Sequence, residues 1–286
     1  MKVLMIGATG EFAGLVLPEL VKCGITVRAL VRNKQKADIA KKRGAHETII
    51  GDLDEPDSLL AAASGMDGVF HINPAFVANE DEQGVAMVNA AEEAGVSKFV
   101  FSGVYHPSLS MINHQAKRPV ERELYHSDLN FTILQPASFM QNIEAAWPAI
   151  LKTGKYVLPY SATSKMSYVD YRDVAETVVM AFSSNKLDYG TFELCADGML
   201  SRDEVAGLMA EATGHKIKAA EIPFEEWAQR ANVSNGSMWN GLKAMFAEYD
   251  RSGFHGGNSL VLKTILGHEP GTLAAYLREL AAKVPE

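Results

Sequence analysis

Residues 1–14, MKVLMIGATGEFAG, decide how the rest of the chain is read. Val3–Ile6 is a short apolar run rich in β-formers, the pattern of a strand buried in a parallel sheet. Gly7-Ala8-Thr9-Gly10 breaks the run, and Phe12-Ala13-Gly14-Leu15-Val16 resumes apolar spacing with a helical period. A strand that turns through glycines into a helix directs backbone N–H groups and the positive end of a helix dipole outward, a seat for a pyrophosphate. Gly7 permits the tight turn, Gly10 lets a phosphate approach the backbone, and Ala13 is small enough for close helix–strand packing. Thr9, Glu11 and Phe12 lie within the same turn and join the glycines as candidate contacts to a dinucleotide.

Thr26–Val31, TVRALV, is the next strand, and it runs directly into Arg32, Asn33 and Lys34. In a dinucleotide-binding βαβ unit the tip of this strand lies beside the adenosine ribose. A carboxylate there accepts the 2′-hydroxyl of NAD, whereas an arginine suits the 2′-phosphate of NADP. Arg32 therefore predicts NADP(H), with NAD(H) the alternative. Its plainer reading is a solvated residue opening a basic helix that continues through Lys41-Lys42-Arg43.

At 286 residues the chain can bury one large core or a core with a smaller appended unit. It is 47% hydrophobic and 22% charged, ordinary for a globular protein. A net charge of −8 leaves no basic stripe for nucleic acid. The one dense basic cluster, Lys34–Arg43, fits the neighbourhood of a ribose phosphate better. Cys23 and Cys195 sit in apolar sequence and do not suggest a disulfide framework. No leader precedes the first strand and no apolar run reaches membrane-spanning length. The expectation is a cytoplasmic protein with a small-molecule partner and neither a membrane nor a nucleic acid.

Strands and helices alternate through the first half. Strands are expected at Glu47–Ile50, Gly68–Ile72, Lys98–Ser102 and Phe131–Gln135, with helices near Gln35–Arg43, Pro56–Ala63, Glu80–Ala94 and Gln115–His126. Such alternation predicts a doubly wound parallel α/β sheet covered by helices on both faces, with the nucleotide across the carboxyl ends of the strands. After about Trp147 short strands (Lys155–Leu158, Ser167–Val169, Thr191–Leu194, Lys216–Ala220) mix with helices, and the end is mostly helical. The predicted division is a dinucleotide-binding domain over residues 1–150 and a smaller substrate-binding region over 151–286. No flexible linker separates them, so tight docking is expected.

Several motifs in order carry a family resemblance: GATGEFAG (7–14), LVRN (30–33), GDLDEPDSL (51–59), SKFVFSG (97–103), AKRPVERELYHSDLNFTILQPASFMQN (116–142), YVDYRDVAE (168–176) and LGHEPGTL (266–273). Together they resemble the NmrA-like branch of the atypical short-chain dehydrogenases/reductases. The resemblance implies a Rossmann domain holding NADP(H) and a substrate cleft under a small C-terminal region. That branch includes quinone reductases and isoflavone-type reductases, and also redox sensors that bind the cofactor without turnover. Other matched positions become candidate cofactor contacts. Asp52 is a candidate partner for the adenine amine, or a loop or cap residue, with Leu53 flanking the ring. Asn73-Pro74 ends the fourth strand; Ser102 ends the fifth; Pro136, Ala137 and Phe139 fall where a nicotinamide is expected.

Hydride transfer needs a donor held against an acceptor and a group to neutralise or protonate the developing oxyanion. Short-chain dehydrogenases commonly use a tyrosine four residues before a lysine. Here Lys117 occupies the matching segment, but Asn113 stands where that tyrosine would be. The resemblance to isoflavone-type reductases implies that Lys117 alone holds the ribose and assists proton transfer, with Ser102, Tyr105 or His114 as helpers. The alternative is a solvated helix lysine. The eight histidines (46, 71, 106, 114, 126, 215, 255 and 268) show no metal-ligand spacing, so no metal is expected. His71, in an apolar strand, reads as a satisfied core residue. The aromatic and Met-rich stretch Trp227, Met238, Trp239, Met245, Phe246 and Tyr249 reads as helical core, or else as a lid lining an apolar or aromatic substrate. The expected activity is NADP(H)-dependent reduction of a quinone or similar conjugated carbonyl compound. A non-catalytic NADP(H) sensor is the alternative, and a sugar-nucleotide epimerase is disfavoured by the absent tyrosine.

Overall fold

In the computed structural model, which describes residues 1–283, the chain divides into two compact units. The first comprises Met1–Pro136 with Val174–Glu193, and the second comprises Ala137–Asp173 with Leu194 onward. The chain thus leaves the first unit and returns to it, a return that a division at residue 150 does not contain.

The first unit is built on a doubly wound sheet. Its strands are β1 (Lys2–Met5), β2 (Thr26–Val31), β3 (Glu47–Ile50), β4 (Gly68–Ile72), β5 (Lys98–Ser102), β6 (Asn130–Pro136) and, late in the chain, β11 (Gly190–Leu194). Their order across the sheet is β11-β6-β5-β4-β1-β2-β3, and β1 to β6 pair in parallel. Apolar runs such as Val3-Leu4-Met5 are buried completely, as strands covered on both faces require. The intervening helices are α1 (Ala13–Lys22), α2 (Lys34–Lys42), α3 (Pro56–Ala63), α4 (Glu80–Glu93), α5 (Ile112–Gln115) and α6 (Arg118–His126). The helix expected around Gln115–His126 is α6, which starts three residues later, and the short α5 precedes it. Pro119 sits in the first turn of α6, where its missing N–H costs nothing, and so marks a helix start.

One face of the sheet carries α3, α4 and α6, whose Leu59, Met87, Val88, Val120 and Leu124 pack with Val69, Phe99, Phe101 and Ile133. Gly68 precedes Val69 and therefore faces the other side. There a Cβ would lie 2.7 Å from the Phe182 ring of α8 (Tyr171–Ser183), so this helix crosses the opposite face. Thr191–Leu194, expected among the mixed elements of the second region, is instead the sheet's edge strand. From Gly190 to Glu193 its residues alternate between half-buried and exposed, as at an edge, before the buried Leu194.

The second unit has three two-stranded pairs: β7 (Ser138–Phe139) with β10 (Tyr168–Val169), β8 (Lys155–Leu158) with β13 (Lys218–Glu221), and β9 (Lys165–Met166) with β12 (Leu200–Ser201). Its helices are α7 (Trp147–Thr153), α9 (Arg202–Thr213), α10 (Phe224–Arg230), α11 (Ser237–Ser252), α12 (Leu260–Leu266) and α13 (Leu273–Ala282). Most of the expected aromatic cluster forms here: Phe246 meets Tyr160, Trp227 and Phe224, while Tyr249 packs on Tyr160 and Phe254. Met238, by contrast, is exposed. Among the described residues no helix is long and apolar enough to cross a membrane.

Candidate functional site

Strand order reverses between β1 and β4, and the carboxyl ends of β1–β4 open there into a cleft of about 350 Å³. The glycine turn forms one wall, contributing Gly7, Thr9, Gly10, Glu11, Phe12 and Ala13. Gly7 has φ +80°, and a Cβ there would lie 2.9 Å from Ile72 Cγ2 and 3.2 Å from Ala13 Cβ. Only a glycine fits without strain. The Gly10 N–H donates to Gly7 O at 2.7 Å and closes the turn. The N-cap residue Phe12 makes no side-chain cap at the start of α1, and the cleft runs to that end. Backbone turn and helix start together fit a pyrophosphate.

The far end of the cleft is basic. Arg32 follows β2 immediately, and Asn33 caps α2 by accepting the Lys36 N–H at 2.9 Å. That cap starts the helix so that Lys36 lines the cleft beside Arg32. Both are exposed, and neither side chain has a hydrogen bond or ion pair among the described residues. Two available cations suit a phosphate monoester on the ribose. Leu53, Asn73 and Pro74 complete the lining. Asp52 lies outside it: its Oδ1 accepts the Asp54 N–H at 3.2 Å, and its backbone is tied to Ser58. The residues present therefore fit a dinucleotide, with the glycine turn as the feature least compatible with anything bulkier.

Lys117 lies elsewhere in the first unit, 6% exposed, and its Nζ pairs with the buried Glu80 carboxylate. Glu80 also accepts the Phe76 N–H at 3.0 Å, and its backbone carbonyl accepts from Asn73 Nδ2 at 2.7 Å. Asn73 Oδ1 lies 2.5 Å from His71 Nε2. Burial pulls the Lys117 ammonium down to about 7, opposed by the Glu121 carboxylate nearby. Glu121 in turn accepts from Gln135 at 2.8 Å and is raised by its own burial. His71 is only half satisfied, contrary to expectation. Its Nδ1 has no hydrogen-bond partner among the described residues, and burial holds it neutral, with a pKa near 4.

Tyr105 and His114 are buried between β5 and α6. The Tyr105 N–H donates to Pro136 O at 3.0 Å, and His114 Nδ1 donates to His106 O at 3.0 Å. Burial lowers His114 to about 4. Ser102 is fully buried at the end of β5. These residues, with Pro136, lie outside the cleft lining. Ala137 and Phe139 belong to the second unit, where Ala137 N–H donates to Leu194 O and Phe139 packs edge-on against Tyr171. Glu80 was not singled out from sequence, since nothing distinguishes it from the other acids opening α4. Among the described residues no cluster of His, Cys, Asp and Glu is arranged to hold a metal.

Comparison with known proteins follows the same lines. The family model described as the NmrA-like family matches residues 1–276. An NAD(P)H azoreductase of Xenophilus azovorans is 31% identical over 251 residues, 86% of each chain. Quinone oxidoreductase 2 of Escherichia coli is 23% identical over 97% of this chain and 98% of its own. The solved triphenylmethane reductase of Citrobacter sp., complexed with NADP(H), shares the fold with a TM-score of 0.83 at 22% identity, covering 98% of this chain and 99% of that one. With a family match that runs from the glycine turn almost to the C-terminus, the chain belongs to the NmrA-like family.

Proposed function

We propose that this protein is an NAD(P)H-dependent oxidoreductase, with NADP(H) preferred, that reduces a quinone or similar apolar conjugated acceptor. The observation that carries the reading is Arg32 and Lys36 standing without ion-pair partners, among the described residues, in a cleft walled by the glycine turn. The azoreductase and quinone oxidoreductase among its relatives support the reaction class.

When bound, the nicotinamide supplies the hydride. The chain's own residues bind and orient. The turn Gly7–Gly10 with the start of α1 would hold the pyrophosphate, Arg32 and Lys36 the 2′-phosphate, and Leu53, Asn73 and Pro74 the walls between. Lys117 is the proposed ribose-holding and proton-bearing group: burial lowers its ammonium, and the Glu80 carboxylate paired with it opposes that shift. Tyr105 and His114 are proposed beside it, with His114 kept neutral by burial. The second unit, Ala137–Asp173 with Leu194 onward, is the proposed acceptor-binding region.

The test is to mix the protein with NADPH and a panel of quinones and azo compounds and follow the loss of NADPH absorbance. Acceptor-dependent oxidation is expected, and no acceleration with any acceptor would sink the enzymatic reading. Two observations favour a second reading, a nucleotide-binding regulator. Lys117 is locked to Glu80, and Asn113 stands where the usual tyrosine would be. Calorimetry that finds tight NADPH binding beside zero turnover would select it.

A further inference from the structure

We infer that Arg43 is a positioning residue that presets the glycine turn for the pyrophosphate of the dinucleotide, an inference that rests on the dinucleotide reading above. Arg43 closes α2 as its C-cap, and the basic run to which it belongs suggests a place beside the ribose. Its side chain goes elsewhere. Nη1 donates to Ala8 O at 3.0 Å and to Gly10 O at 2.7 Å, so a single guanidinium nitrogen holds two carbonyls of the turn.

Gly14 makes the approach possible. It lies in the first turn of α1, and a Cβ there would sit 1.9 Å from Arg43 Nη1 and 2.8 Å from Cζ. The arginine passes through the gap left by the missing side chain. In a trans peptide the carbonyl and the following N–H point in opposite directions. Fixing the Ala8 and Gly10 carbonyls toward Arg43 therefore turns the Thr9 and Glu11 N–H groups to the opposite side, and Thr9 and Glu11 both line the cleft. The guanidinium also covers two carbonyl dipoles whose negative ends would repel a phosphate if the peptides flipped. Arg43 itself is not part of the cleft lining. Its effect on a ligand is thus exerted through the turn, and the 2′-phosphate plays no part in it.

The test uses the full-length protein with Arg43→Met, which keeps the aliphatic stem, Gly14→Ala, which pushes the guanidinium off the turn, and the double variant. Dissociation constants for NADPH and NADH are measured by calorimetry, alongside thermal melts. Arg43→Met is expected to weaken both nucleotides about tenfold and in equal proportion, because the pyrophosphate is common to them. Gly14→Ala should weaken both similarly, and the double variant should be no worse than the worse single one, since both act through one contact. A purely structural arginine would lower the melting temperature and leave the affinities of the folded protein alone. Affinities within about twofold of the parent overturn the inference, as does a loss confined to NADPH, which would put Arg43 on the 2′-phosphate. A parent protein that binds neither nucleotide refutes the dinucleotide reading itself and this inference with it, an outcome distinct from an unaffected variant.

Discussion

Arg32 follows Val31 without a spacer, and the Asn33 cap behind it fixes where α2 begins, so the side chain has little choice but to stand at the cleft mouth. If it meets the 2′-phosphate, Arg32→Ala should weaken NADPH binding roughly tenfold to a hundredfold, about 1.5–3 kcal/mol, and leave NADH unaffected. Lys36 on the same wall will pull the loss toward the lower figure. Equal affinity of the parent for the two nucleotides would dismiss the assignment. Gly7 gives a second outcome at this scale. Gly7→Ala must adopt φ near +80° and push its methyl against Ile72, so dinucleotide affinity should collapse while the strands stay paired, as calorimetry with circular dichroism would register. Both residues are legible in the sequence because their roles are local: a strand end, a turn and a helix start are all written within a few positions. Glu80 is not. It acts on a lysine 37 positions away, and that meeting is set by the packing of α4 against α6.

Between elements, Lys98 is the most instructive tie. It opens β5 almost fully buried, and its Nζ donates to Ala181 O and Ser184 O at the end of α8 and to Asp188 just beyond. A cation at a helix C-terminus satisfies carbonyls that the helix leaves over. Asn130 at the start of β6 holds the other Asp188 oxygen at 2.5 Å. Lys98→Met strips the carboxylate of its charge partner in a buried setting and should cost about 3 kcal/mol, read as a lower urea midpoint. A loss below about 1 kcal/mol would mean that water replaces the ammonium without penalty. β1 to β6 are readable in the sequence as short apolar runs. β11 is not, because the alternation in Gly190–Leu194 describes any half-buried strand, and its partner is chosen by contacts such as that of Lys98.

Over the whole molecule, His71 and His114 set the response to acid. Each titrates near 6.5 when unfolded and near 4 in the fold, because burial disfavours the imidazolium. The folded chain therefore binds fewer protons between those values. Stability is full above pH 6.5 and falls as pH drops toward 4, by on the order of 3 kcal/mol for each histidine. Urea midpoints above and below the window should reveal the fall, and the double variant His71→Gln, His114→Gln should flatten it; an unchanged slope would clear both residues. The two-piece construction of the first unit bears on how the protein is born. β11 emerges from the ribosome only after all of Ala137–Asp173 has been made. Until then β6 is an open rim with unspent backbone donors and acceptors, and the Lys98 partners Ala181, Ser184 and Asp188 are made only shortly before it closes. A nascent chain stalled before residue 190 would carry that rim bare, ready to zip onto a neighbour emerging from the same polysome.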